Sequence, residues 1–295
     1  MSRSRSLLAF VHIEKAAGTS LYYILRRNFF LRHLEVRPFV QESDMVFRAS
    51  DLKRSLWLNP FLRSIGGHSV KAFSDLETVV NDINYITLLR EPRRRYVSHY
   101  FYRMTMTKTH MDFRTFLEDT EQSNFQTTSL SNGNFRSIGS ARYADLERAK
   151  RLLLENFLLV GVVEEFDEFL VQLRRLIRPG RFDIRYSRQN VSRAENRIGR
   201  ETPLDILTKY SDEISVRNQL DLELYDYVFT CLLPRQRAEY GSSLHEDVKA
   251  FQETIRNSKP GMLKLYLDYA FLHCYYNPLI GIQRVCNGLP YSGTY

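Results

Sequence analysis

Apolar and polar positions follow one another along the chain in two rhythms. LLAFVHI at 7–13, NYITLLR at 84–90 and FLLVGVV at 157–163 are short, nearly continuous apolar runs bounded by polar residues. That is the pattern of strands covered on both faces. Residues 19–30, 92–104, 144–156 and 166–177 instead repeat apolar side chains at the three-to-four-residue spacing of helices with one buried face. Strands alternating with helices predict an α/β fold of three layers around a mainly parallel central sheet. In such sheets ligands belong at the carboxyl ends of the strands.

Residues 120–143 and 178–203 are polar, Gly- and Ser-bearing and weakly periodic, and they read as long loops of the kind that often carry function. A helix is expected over 216–230. From 241 onward the pattern changes to an amphipathic stretch at 245–256, a break at Pro260 and Gly261, and the aromatic-rich MLKLYLDYAFLHCYY. The expected organisation is one main domain over 1–240 and a helical C-terminal extension over 241–295, which packs on that domain or mediates a homo-oligomer contact.

With 295 residues and 43% hydrophobic content the chain can bury a full core. It has no apolar run of roughly 18 residues or more, so no bilayer span is expected. The opening MSRSRSLLAFVHI has the basic start of a signal peptide, but its apolar stretch breaks at His12, Glu14 and Lys15 without a small-residue cleavage site, and it reads as a first strand. Cys231, Cys274 and Cys286 are odd in number and lack metal-ligand spacing, which argues against a disulfide scaffold and a structural metal. A cytoplasmic location fits that usage, or the Golgi lumen if an upstream anchor has been removed. The formal net charge of +8 favours anionic partners without choosing among nucleotide, acidic glycan, nucleic acid and membrane surface.

Candidate chemistry concentrates in FVHIEKAAGTSLYYIL at 10–25, where a strand ends, a short loop follows and a helix is expected to begin at Thr19 or Ser20. Unpaired N–H groups at a helix N-terminus, with the helix dipole behind them, form an anion site. Lys15 adds a mobile charge, Gly18 allows close backbone approach, and Thr19 and Ser20 can cap the helix. The lysine precedes the glycine, unlike the ATP-binding G-x-x-x-x-G-K-[ST] loop. A second anion site lies in ITLLREPRRRYVSHYFY: Arg90 ends a strand, Pro92 opens a helix, and Arg95 and Ser98 share one helical face.

The first segment resembles the 5′-phosphosulfate loop of carbohydrate sulfotransferases, especially the heparan sulfate 2-O- and 6-O-sulfotransferase type, with Ala16 in place of a common threonine. R-[DE]-P-x-x-R-x-x-S, matched at Arg90, Glu91, Pro92, Arg95 and Ser98, resembles the same superfamily's 3′-phosphate motif. The resemblance covers roughly residues 7–240. It implies 3′-phosphoadenosine-5′-phosphosulfate (PAPS) as co-substrate and sulfuryl transfer to a hydroxyl of a carbohydrate or other compound, which can itself be anionic. By it, Lys15, Ala16, Ala17, Gly18, Thr19 and Ser20 surround the phosphosulfate, and Lys15 stabilises the leaving phosphate. Arg90 and Ser98 would hold the 3′-phosphate, with Arg95 in an orienting role.

His68 occupies the interval in which that family places its catalytic base. Glu14 is the alternative. Asn124 and Gln126 resemble a segment that would line the acceptor cleft, and Asn190, Ser192 and Arg193 a loop that would close over the nucleotide. No metal and no nucleic-acid partner are expected. Rival readings from other classes are a small-molecule kinase of P-loop type and a non-catalytic basic glycan-binding protein.

Overall fold

In the computed structural model the three apolar runs become the centre and one side of a parallel sheet. The structure describes residues 6–40, 45–107, 111–118, 122–132, 141–177, 182–186, 201–257 and 263–291. Five strands, β1 (Ser6–Val11), β2 (His33–Glu35), β3 (Ser64–Gly67), β4 (Asp82–Leu89) and β5 (Phe157–Val162), lie in the order β2-β3-β1-β4-β5, each pair parallel. β1 is buried from Leu7 to Val11 without alternation, as a strand covered by helices on both faces must be. The fold is therefore α/β around a parallel sheet, as the alternation of elements predicts. β2 and β3 escaped the pattern because HLE and SIGG are too short to show a period.

The first helices are α1 (Gly18–Phe29), α2 (Ala49–Leu58), α3 (Pro92–Thr107), α4 (Phe113–Glu118), α5 (Phe125–Ser131), α6 (Tyr143–Glu155) and α7 (Phe166–Ile177). The chain continues through α8 (Pro203–Lys209), α9 (Ser211–Arg217), α10 (Gln219–Tyr227), α11 (Leu233–Tyr240), α12 (Leu244–Asn257), α13 (Leu263–Phe271) and α14 (Asn277–Cys286). The helix expected over 216–230 is split into α9, α10 and a π-helical turn at Val228–Leu232. Part of the segment expected to be a loop at 120–143 is α5, and every residue of α5 is buried. Its polarity misleads because its polar atoms are satisfied inside the protein.

β1 sits at the centre, with the chain passing first to the β3 side and then to the β4 side. This change of direction opens a crevice at the carboxyl ends of β1, β3 and β4. α3 presents two faces. Tyr96, Val97, Tyr100, Phe101 and Met104 enter an aromatic cluster with Phe113, Phe116, Ile206 and Ile214, while Arg95, Ser98, His99 and Tyr102 share positions on the face toward the crevice. Among the C-terminal residues, Leu244, Phe251, Leu272, Tyr276 and Ile280 are buried in the same core as the sheet. Tyr276 Oη donates to Ser55 Oγ at 3.3 Å, which ties that region to α2.

Candidate active site

The loop after β1 is held from both neighbouring strands. The His12 N–H donates to the Gly67 carbonyl at 3.2 Å and Thr87 Oγ1 to the Val11 carbonyl at 2.8 Å. Lys15 and Ala17 adopt left-handed backbone, with φ of 66° and 57°. Such backbone is strained for residues with a Cβ. A left-handed residue followed by right-handed helical ones turns successive N–H groups into one concavity, an anion nest.

Helix α1 begins at Gly18, one or two residues earlier than expected, and Ala17 at its N-cap provides no side-chain bond. The capping role expected of Thr19 and Ser20 is corrected accordingly: both lie inside the first turn. Among the described residues the first N–H to bond back is that of Leu21, to the Ala17 carbonyl at 3.3 Å, so those of Gly18, Thr19 and Ser20 face outward from the helix end. A Cβ on Gly18 would stand 1.8 Å from His12 Nε2, so any side chain there would have to displace the buried imidazole or the helix start.

Arg90 connects this nest to the second motif. Its Nη1 donates to the Lys15 carbonyl at 3.1 Å. Lys15 Nζ lies 4.1 Å from the centre of the Tyr102 ring on α3. Burial, and then Arg90, lower the Lys15 pKa, while Glu14 opposes the shift. Glu14 Oε2 in turn is 3.6 Å from His99 Nδ1. Ser98 lies one turn from both Arg95 and Tyr102 on this face and is half-buried. Buried Arg90 Nε, and Nε and Nη1 of fully buried Arg95, have no hydrogen-bond acceptor among the described residues. Arg95 is otherwise structural, giving Nη2 to the Gln122 carbonyl at 3.1 Å and stacking on Phe125.

The helix terminus of the second motif is already occupied. Glu91 Oε2 accepts the Arg94 N–H at 2.9 Å and Glu91 Oε1 binds Arg93 Nε at 2.7 Å. With Glu91 bonded at this terminus, Arg90 and Ser98 are the side chains of that motif open to an anion.

Beyond β3, the His68 Nδ1–H donates to the His12 carbonyl at 3.0 Å, and the two rings stack at 4.1 Å between centres. A carbonyl only accepts, so the neutral ring carries its proton on Nδ1 and its lone pair on Nε2. His12 is stacked in turn on Phe10, and burial together with His68 and Lys15 keeps its pKa well below the ordinary histidine value.

Asn124 and Gln126 do not line a cleft. Gln126 is fully buried and clamps Arg90: its Oε1 accepts the Arg90 N–H and its Nε2 donates to the Arg90 carbonyl, both at 2.9 Å. Asn124 Oδ1 accepts the N–H groups of Leu220 and Asp221 at the start of α10. Buried Asp221 reciprocates by accepting from the Gln126 and Thr127 N–H groups of α5. Gln126 is corrected from an acceptor contact to a support of the Arg90 backbone, and Asn124 to a tie between the starts of α5 and α10. Asn190, Ser192 and Arg193 lie outside the described residues. Lys71 is a further ionisable group inside the fold, fully buried, its Nζ donating to the Ser129 carbonyl at 2.6 Å and its pKa lowered by burial to about 7. No period or motif marks it.

No protein family pattern and no curated protein matches the chain. Among solved structures it is similar to a sulfotransferase from Alicyclobacillus acidocaldarius at 16% identity and a TM-score of 0.39, over 74% of this chain and 96% of that one. That likeness is too distant to speak for function.

Proposed function

We propose that the protein is a sulfotransferase that moves the sulfuryl group of PAPS to a hydroxyl of a carbohydrate or related acceptor. The observation that carries this reading is the junction of two anion-binding groups, the bond from Arg90 Nη1 to the carbonyl of Lys15. It sets the arginine of the second motif against the backbone nest of the first. One molecule bearing a 5′-phosphosulfate and a second phosphate satisfies both.

In this mechanism the N–H groups of Gly18, Thr19 and Ser20 and the Lys15 ammonium hold the 5′ end, while Arg90 and Ser98 hold the 3′-phosphate. His68 Nε2 takes the proton of the acceptor hydroxyl as its oxygen bonds to sulfur. The bond from sulfur to the bridging oxygen breaks, and the charge left on the 5′-phosphate falls to Lys15 and the nest. Lys15 suits that task because burial, and then the nearby Arg90, make an added anion favourable beside it.

Retention on immobilised 3′,5′-ADP (PAP), followed by transfer from labelled PAPS across glycans, phenols, lipids and peptides, tests the proposal. Retention without metal and label on a hydroxyl compound are expected. Elution by magnesium ATP but not by PAP would move the protein to the kinases, and the absence of retention would leave a basic binding protein.

A further inference from the structure

The edge of the sheet opposite the crevice carries an unusual pair of side chains. Trp57, the chain's one tryptophan, is 74% exposed and Phe61 is 73% exposed. Exposure on that scale in the two largest apolar side-chain types means that both project from the surface. Trp57 is the penultimate residue of α2, and the turn after it leads through Phe61 to the amino end of β3. That turn is stitched to the segment before β2, Asn59 Nδ2 donating to the Leu31 carbonyl at 2.7 Å and the Arg63 N–H to the Arg32 carbonyl at 2.9 Å. Arg32 and Arg63 therefore flank the aromatic pair. Lys53 lies one helical turn before Trp57.

Among the described residues, none of the side chains of Arg32, Lys53 and Arg63 has a carboxylate within ion-pair distance. Asp82, the acidic residue that opens β4 at the same edge, is two strands from β3. A projecting aromatic pair with unpaired cations on neighbouring residues matches an anionic lipid surface: the rings enter the boundary between headgroups and acyl chains, and the cations meet phosphate. A second copy fits less well, because a twofold contact through this patch would bring the like charges together. A polyanionic chain would prefer a groove lined with cations to a projecting tip.

We infer that this edge docks the protein peripherally on anionic membranes. The carboxyl ends of the strands, with Lys15, His68 and Arg90, then face away from the bilayer. The inference is independent of the sulfotransferase reading.

The full chain would be floated with vesicles of phosphatidylcholine, with and without phosphatidylglycerol, and Trp57 emission followed together with its quenching by brominated lipid. Expected are co-flotation with the anionic vesicles only, a blue shift, quenching, and release by salt. Phe61→Ser should weaken binding about tenfold or more, and Lys53→Ala roughly fivefold, in line with a buried aromatic and one cation at a charged surface. Trp57→Ser, followed by flotation alone, should match Phe61→Ser, and unchanged melting transitions would show that these variants fold. A protein that stays out of the anionic vesicle fraction overturns the proposal. So does flotation indifferent to both aromatic substitutions. A blue shift that grows with protein concentration in the absence of lipid would assign the patch to self-association, and one produced by heparin but not by vesicles would assign it to a polyanion.

Discussion

At the scale of single residues the proposed function assigns binding and chemistry to different side chains, and the division can be measured. Lys15→Ala should lower kcat by roughly a hundredfold or more, the scale of a lost electrostatic stabiliser. His68→Ala should lower kcat by about a hundredfold to ten-thousandfold while PAP binds as before, since His68 bonds to the His12 carbonyl and not to the nest. A His68 variant with undiminished turnover would pass the base role to Glu14. Arg90→Ala should weaken PAP by about 2–4 kcal/mol and leave adenosine 5′-phosphosulfate, which lacks the 3′-phosphate, nearly unchanged. Equal weakening of both ligands in a titration would reassign Arg90 to the 5′ end or to folding. Lys15, Arg90 and Ser98 were legible as anion-binding candidates because their chemistry is tied to strand and helix ends that a sequence pattern marks. Gln126 and Asn124 were misread, because an amide that binds substrate and an amide that binds backbone look alike until the backbone position is known.

At the scale of elements, the nest depends on how closely α1 approaches β1. Gly18 rests on the His12 ring, so Gly18→Ala drives a Cβ into the imidazole and must displace the helix start or the ring. Overpacking of this kind costs about 1–3 kcal/mol. The expected outcome is a lower melting temperature together with PAP affinity reduced at least about tenfold, since the N–H groups leave their common focus. Unchanged PAP affinity would mean that the nest tolerates movement and that side chains do most of the holding. The four main helices and three strands were legible because each buries a continuous stripe or run. α5 was not legible, for a physical reason: the polar groups of the buried helix FQTTSLS are satisfied by Asp221, which accepts the Thr127 N–H, and by the Arg90 backbone, which Gln126 binds, and both partners are far away in sequence. β3, whose Gly66 and Gly67 precede His68, was hidden in the same way by its length.

At the scale of the whole molecule, the C-terminal helices are coupled to the helix that starts the site. Asp268 of α13 has no exposure, its oxygens accept no hydrogen bond among the described residues, and Oδ2 stands 3.6 Å from Arg26 Nε on α1. Burial raises its pKa to about 7, with Arg26 acting in the opposite direction. Between the ordinary carboxylate value and about pH 7 the folded protein keeps a proton that the unfolded chain has released. The contribution of Asp268 to stability is therefore fully present in acid and lost as pH rises through that window. His12 and His33, whose pKa values burial lowers, act in the opposite sense and favour the folded state as pH rises. Total stability thus mixes the two signs, and a comparison with Asp268→Asn isolates one. The variant should unfold at a higher temperature than the wild type at about pH 8, by the equivalent of roughly 2–4 kcal/mol, and the difference should shrink steadily toward about pH 4. Melting curves that stay parallel across that range would mean that Asp268 is charged in the folded state at every pH, held by Arg26, and that the joint between α13 and α1 is a buried ion pair instead of a protonated carboxyl.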